Sequence, residues 1–340
     1  MELINQIFAK ENVNSGRQME IDLAKVVFVL MVAAVHITID CVPEEALSKG
    51  LPYVFDSVIG GPMIAPGLMF AMGACLVYSR RQGWKDIFHR GIFIFILGFV
   101  LNLCRYTIPD LIGYAISGDT ERYLDPILYQ TFNNDIFQFA GLALMTIALF
   151  LKLKLKDGVM VGIALLCSII GTLLNGVDVG SVPGNMILGY FVGVEDAAGK
   201  VLSYFVYLNW LIMPVSGYVF GKLLKRMKDK DLFYRMAVPV CLLVAVPYYV
   251  LRIRNRIGMF GLGESCYYHV TTPDVLICLV TAIGMYGIYY FIGKHLPQKA
   301  VAAAYRIGAD MTAFYFIHWL FVAGIVYLGL YLIRGTQILP

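Results

Sequence analysis

The chain has 340 residues, of which 59% are hydrophobic and only 15% charged, and its net charge is +4. An ordinary soluble domain carries about a quarter charged residues, so a mean hydropathy of +0.72 excludes a soluble globular enzyme. A disordered chain and a nucleic-acid-coating protein are excluded too, because 21 Phe, 22 Tyr and so small a net charge supply neither the polarity nor the basic field they need. The solvent for this fold is lipid. The expected class is an all-α, polytopic integral membrane bundle of about nine to ten transmembrane helices.

Residues 1–20 are polar and lack an apolar run ahead of a small-residue cleavage site, so they read as a cytoplasmic N-terminal segment with no removable signal peptide. A spanning helix needs roughly 20 mostly apolar residues. Nine such runs follow in order: Ile21–Asp40, Ser57–Ser79, Phe88–Tyr106, Phe132–Leu151, Gly158–Asn175, Lys200–Gly221, Met236–Leu251, Thr272–Gly293 and Ala309–Ile333. Val182–Val194 is too short and Gly-rich to cross, and reads as an interfacial or re-entrant piece. A single transmembrane domain is therefore expected over 21–333, followed by a short tail at 334–340.

When the sides alternate, 19 of the 27 Lys and Arg fall on one face, which the positive-inside rule makes cytoplasmic. The expected protein is a multi-pass protein of the cell membrane with its N-terminus inside and its C-terminus outside. Seven Cys are scattered without C-x-x-C spacing, so no metal is expected. Cys41, Cys104 and Cys266, near the outer face, either pair or serve as small buried hydrophobes. No repeat of 20–50 residues is visible. Gly217 and Gly221, four apart, suit helix packing within one chain or between two, so the oligomeric state stays open.

Ionisable groups inside spanning segments are costly, and each is a functional candidate. The first span carries Asp22 and Lys25 near its inner end and His36 and Asp40 near its outer end. Eleven positions at about 100° each make about three turns, so Lys25 and His36 share one stripe roughly 16 Å apart. Asp40, four residues beyond His36, is placed to orient the imidazole and raise its basicity, the arrangement of a general base. His36 is either that base or a packing histidine, and Asp40 either its partner or a headgroup-level carboxylate.

His318 lies mid-span in Phe314-Tyr-Phe-Ile-His-Trp-Leu-Phe321 and must face the bundle interior, in a catalytic or a structural role. Asp135 and Gln138, behind Asn133-Asn134, are either site residues or a polar helix start. Arg105 either binds a ligand or snorkels to the interface. Arg252, Arg254 and Arg256 lie on the face that disfavours positive charge. They suit an anionic group, or else pair with Glu264, Asp274 or lipid headgroups.

The run Met19-Glu-Ile-Asp-Leu-Ala-Lys through His36 resembles the signature of the acyltransferase-3 (transmembrane acyl transferase) superfamily: Glu-Ile-Asp, two residues, Arg, ten residues, His. Glu20, Ile21, Asp22 and His36 match in register. Lys25 stands where the pattern has Arg, which keeps the charge and loses bidentate recognition. Weaker matches lean toward the branch of heparan-α-glucosaminide N-acetyltransferase-like proteins. They are Pro66–Ala74, Asp135–Leu142, Ile212–Lys222, Thr271–Leu276 and Gly308–His318. Together they cover most of the chain in order. The branch carries ten or eleven helices, which implies a further crossing around Val182–Val194.

The resemblance implies transfer of an acyl group, commonly acetyl from cytosolic acyl-CoA (acetyl-CoA), to a hydroxyl or amine of a carbohydrate or similar polar acceptor at the extracytoplasmic face. No metal and no nucleic acid take part. In this reading His36, Asp40 and His318 form the catalytic set, and Lys25, Asp22, Arg80, Arg81 and Arg90 meet the donor. Arg105, Asp135, Arg252, Arg254, Arg256 and Glu264 are then the acceptor-side candidates. Two other readings compete. One is a solute transporter or flippase, suggested by midplane polar residues and the Gly60-Gly-Pro-Met-Ile-Ala-Pro66 interruption but unsupported by any inverted repeat. The other is a non-catalytic membrane sensor of the same fold, for which Lys25 is the one argument.

Overall fold

The computed structural model describes residues 2–196, 202–261, 264–327 and 333; the side chains of Asp40, Glu44, Glu264 and residues 325–327 also lie outside the described set. Among the described residues every regular element is helical, and the only β-pairs are two isolated bridges. The main helices are α1 (Met19–Cys41), α2 (Ala65–Leu76), α3 (Trp84–Asn102), α4 (Ile136–Lys152) and α5 (Asp157–Leu173). They continue with α6 (Ile212–Arg226), α7 (Lys230–Asn255), α8 (Thr272–His295), α9 (Gln298–Ala309) and α10 (Met311–Phe321).

The protein is a multi-pass membrane helix bundle. Among the described residues six helical runs are long and apolar enough to cross a bilayer: Met19–Ile39, Gly50–Leu76, Trp84–Ser117, Thr120–Lys152, Lys230–Asn255 and Thr272–His295. The pair α9 and α10, bent by 78° at Asp310, counts as a seventh if taken as one span. The other sequence-derived spans correspond to shorter helices. α5 has 17 residues and α6 has 15, less than the roughly 20 a straight crossing takes. Val182–Leu188 forms a seven-residue helix capped by the Ser181 hydroxyl, short of a crossing. The tail at 334–340 lies outside the described residues.

α1 is central. It packs against α2, α8, α9, α10 and the π-helical segment Val54–Ile64 that leads into α2. That segment holds Pro62, which has no N–H to donate, and a widened turn is one way a helix accommodates the missing bond. Two helix pairs depend on glycine. A Cβ on Gly73 of α2 would sit 1.9 Å from the Pro214 carbonyl oxygen of α6, and one on Gly217 would sit 2.1 Å from that of Phe70. Gly217 and Gly221 thus serve packing inside one chain, as small residues do between membrane helices. Gly91 and Gly141 face each other in the same way between α3 and α4. α7 turns Val240, Leu243 and Val250 outward, an apolar surface suited to lipid.

The two faces hold together as the alternating charge count separates them. On one, Ala9 bonds the Arg226 carbonyl, Lys230 pairs with Glu20 at 2.7 Å and Lys222 with Asp157 at 2.6 Å. On the other, Arg256 donates to the Ser48 carbonyl at 2.7 Å and Asn175 to that of His269. The first face is called inner below and the second outer.

Candidate active site

Two cavities lie along α1. The outer one, about 600 Å³, is bordered by Val32, Val35, His36 and Ile39 of α1, by Asp56, Ser57, Gly60 and Gly61 of the π-helical segment, and by Tyr267 and Tyr268. The inner one, about 620 Å³, is bordered by Asp22 and Lys25 of α1, by Arg17, Tyr78, Arg80 and Arg90, and by Gly308 and Thr312. Leu68, Ile136 and Tyr315 border both cavities. One helix therefore presents Lys25 to the inner chamber and His36 to the outer one.

The α1 carboxylates anchor its inner end. Glu20, 1% exposed, accepts from Lys230 and from the Tyr234 hydroxyl at 3.3 Å. Asp22 accepts from Arg17 through two bonds of 3.0 Å and from Lys25 at 2.8 Å. Those bonds raise the pKa of Arg17 above the ordinary arginine value, against the opposing pull of burial. Both carboxylates fall in the first turn, where the helix dipole favours negative charge. Lys25 also donates to the Gly308 carbonyl at 2.6 Å, so two of its three N–H groups are committed to the fold. Arg80 and Arg90 border the same chamber with no carboxylate partner among the described residues, and the Tyr78 hydroxyl is buried there without a hydrogen bond. Arg81 is exposed and does not border it.

His36 packs against Trp319 at 4.1 Å between ring centroids with the planes tilted by 44°, and stacks on His318 at 5.6 Å with the planes 24° apart. His318 is buried, facing the interior as its mid-span position requires, and neither of its ring nitrogens makes a well-formed hydrogen bond. Tyr315, one turn earlier, accepts from the Trp319 Nε1–H at 3.0 Å and wedges its ring between Phe137 and His318. The side chain of Asp40, expected to orient His36, lies outside the described residues.

Arg105 does not run out to the interface. It is buried in the π-helical turn Leu103–Thr107 that follows α3, because a carboxylate and two aromatic faces await it there. Its guanidinium pairs with Asp135, donates to the Asn102 side chain at 3.0 Å and lies over the rings of Trp319 and Tyr106. Asp135 is at once that ion-pair partner and the N-cap of α4, in a capping box with Gln138. Neither Arg105 nor Asp135 borders either chamber.

The outer arginines are dispersed. Arg252 lies 3.7 Å from the buried Asp274 and over the Tyr248 ring; Arg256 is tied to Ser48 and Tyr53; Arg254 points into the surroundings. None of the three borders the outer chamber, and the Glu264 side chain lies outside the described residues. The seven cysteines form no disulfide.

Two charged chamber residues escaped the sequence reading, as did the tyrosines Tyr78, Tyr267 and Tyr268. Asp56 sits one position before the sequence-derived span at Ser57, so it was never counted as an intramembrane carboxylate, although the helical run begins at Gly50. Arg17 was counted for topology alone.

The family model described as heparan-alpha-glucosaminide N-acetyltransferase, catalytic, matches residues 17–247. The match takes in α1 to α6 and most of α7, with Lys25, His36, Asp56, Arg80 and Arg90, and ends before Tyr315 and His318. No curated protein and no solved structure matches the chain.

Proposed function

The chain belongs to the family of the heparan-alpha-glucosaminide N-acetyltransferase catalytic domain, membrane acetyltransferases, and from that premise we propose that it moves an acetyl group from acetyl-CoA, bound in the inner chamber, to a polar acceptor in the outer one. The observation that carries the proposal is the pair of chambers abutting at Leu68, Ile136 and Tyr315, with His36 just beyond that boundary and arginines at the far mouth. In this reading the inner face is cytoplasmic and the membrane is the cell membrane.

The inner chamber suits the donor. Arg80 and Arg90 supply guanidinium forks for phosphate oxygens, and the unpartnered Tyr78 hydroxyl offers a further polar contact. Lys25, tied to Asp22 and Gly308, contributes mainly charge. The outer chamber suits a neutral or cationic acceptor. Asp56 is the one carboxylate and no Lys or Arg is present among its described lining residues, while Tyr267 and Tyr268 offer aromatic faces. A sugar amine or hydroxyl fits that chemistry, and the glucosaminide in the family's name is the first acceptor to try.

His36 takes the proton from the acceptor O–H or N–H as that oxygen or nitrogen attacks the thioester carbon. The C–S bond then breaks, and the departing thiolate receives the proton from the imidazolium, so His36 ends neutral. The ring packs against Trp319 and His318. Asp40 is the expected orienting carboxylate, and His318 closes the far side of the same polar pocket.

The test is thiol release from acetyl-CoA by the purified protein in detergent, with glucosaminide and amine-free sugar acceptors. The wild type is expected to release thiol when an acceptor is present, and His36→Ala to bind acetyl-CoA and release none. Equal release by His36→Ala contradicts the assigned base. Two chambers opening to opposite faces also suit a carrier, and solute movement by the wild type without thioester consumption would favour that reading.

A further inference from the structure

We propose that Leu68, Ile136 and Tyr315 form an aperture through which the acyl group must enter the outer chamber, and that this aperture restricts the donor to short, unbranched acyl chains. The inference rests on the two-chamber acetyltransferase reading above. These three side chains are the residues common to both cavity linings. A thioester held from the inner side reaches His36 only by passing its acyl group, tail first, between them.

The aperture is built to be stiff. Tyr315 is held by the Trp319 indole N–H and packed between Phe137 and His318, with 7% of its surface exposed. Ile136 is the first residue of α4, and its backbone N–H donates to Asp135 at 2.6 Å, the carboxylate that also binds Arg105. The buried ion pair thereby fixes the position of one wall. Leu68 lies in the first turns of α2, whose far side is locked against α6 at Gly73 and Gly217. Ile136 is β-branched and restricted at χ1, so it does not readily swing aside. A rigid apolar opening discriminates by cross-section, and one methylene of misfit in such a site changes kcat/KM by roughly 10- to 200-fold.

The same three residues account for a separation of roles. Phosphate contacts at Arg80 and Arg90 lie on the inner side of the aperture and the general base on the outer side. Donor binding therefore does not require the aperture to be passed, whereas transfer does. Narrowing it should abolish chemistry while Arg80 and Arg90 still hold the nucleotide end of the donor, and widening it should admit bulkier acyl groups.

The experiment compares acetyl-, butyryl- and isobutyryl-CoA with the wild type and the Leu68→Ala, Ile136→Ala and Leu68→Phe variants. Thiol release is the readout for transfer, and acetyl-CoA binding is measured separately by calorimetry in detergent. The wild type is expected to favour acetyl over isobutyryl by at least about tenfold. Leu68→Ala and Ile136→Ala should reduce that ratio by about tenfold. Leu68→Phe should still bind acetyl-CoA through the contacts at Arg80 and Arg90 and release no thiol. Preserved binding shows that this variant is folded. If the wild type is active but the widened variants keep its acyl preference, or if Leu68→Phe transfers at the wild-type rate, the aperture is refuted and the proposed function stands. If the wild type releases no thiol from any donor, the proposed function and this inference fall together.

Discussion

Removing the Arg105 side chain should be among the most damaging single changes in the bundle. Arg105 and Asp135 have side chains 3% and 14% exposed, so Arg105→Met leaves an ionised carboxylate in a dry interior. Breaking a buried pair from one side costs about 3–5 kcal/mol, or about two to four orders of magnitude in the folding equilibrium. Part of that loss is the stacking of the guanidinium on Trp319, 4.3 Å away, worth about 0.5–2 kcal/mol. Asp135→Asn removes the charge and keeps the cap on α4, because Asn caps a helix about as well as Asp. The double variant Arg105→Met with Asp135→Asn should therefore recover about 2–3 kcal/mol relative to the sum of the single variants. Unfolding by SDS in mixed micelles measures all four proteins in one cycle. Arg105→Met within about 1 kcal/mol of the wild type, or strictly additive losses, would refute the buried pair as the anchor of α4.

The glycine contact between α2 and α6 supplies a second test. Gly73→Ala drives a Cβ to 1.9 Å from a backbone oxygen and should cost at least about 1–3 kcal/mol as the helices part, whereas Gly162→Ala, with nothing within 4 Å, should stabilise α5 by about 0.5–1 kcal/mol. A thermal-shift comparison in detergent reads both, and similar melting temperatures for the two variants would contradict the packing described. On the donor side, Arg80→Ala combined with Arg90→Ala should raise the KM for acetyl-CoA by about tenfold at low salt while leaving kcat unchanged. The gap should narrow as ionic strength rises, because exposed charges are screened. An unchanged KM across salt concentrations would remove these arginines from the donor site.

The sequence alone made the α1 stripe legible, because a helix repeats every 3.6 residues and Lys25 and His36 lie within one element. It also separated the two faces, since the charge count needs only the order of the spans. What it concealed depends on contacts between elements. Arg105 and Asp135 are 30 positions apart on different helices, so each read as a possible ligand residue when their partner was the other. For Arg252 and Arg256 the sequence leaves an anionic ligand and charge pairing equally open, and only the fold places Asp274 and Tyr248 beside the first and Ser48 and Tyr53 beside the second. Asp56 was hidden by an element boundary: Gly60-Gly61-Pro62 suggests a break, while the chain continues through it as a π-helix.

The most direct test of the account is the sidedness of transfer. Reconstituted into liposomes, the protein in one orientation would receive acetyl-CoA only on the face that carries Arg80 and Arg90, and a glucosaminide only on the opposite face. The account predicts acetylated acceptor on the side opposite the donor, released thiol on the donor side, and neither with His36→Ala. Transfer only when donor and acceptor share a face, or thiol release undiminished by loss of His36, would contradict it.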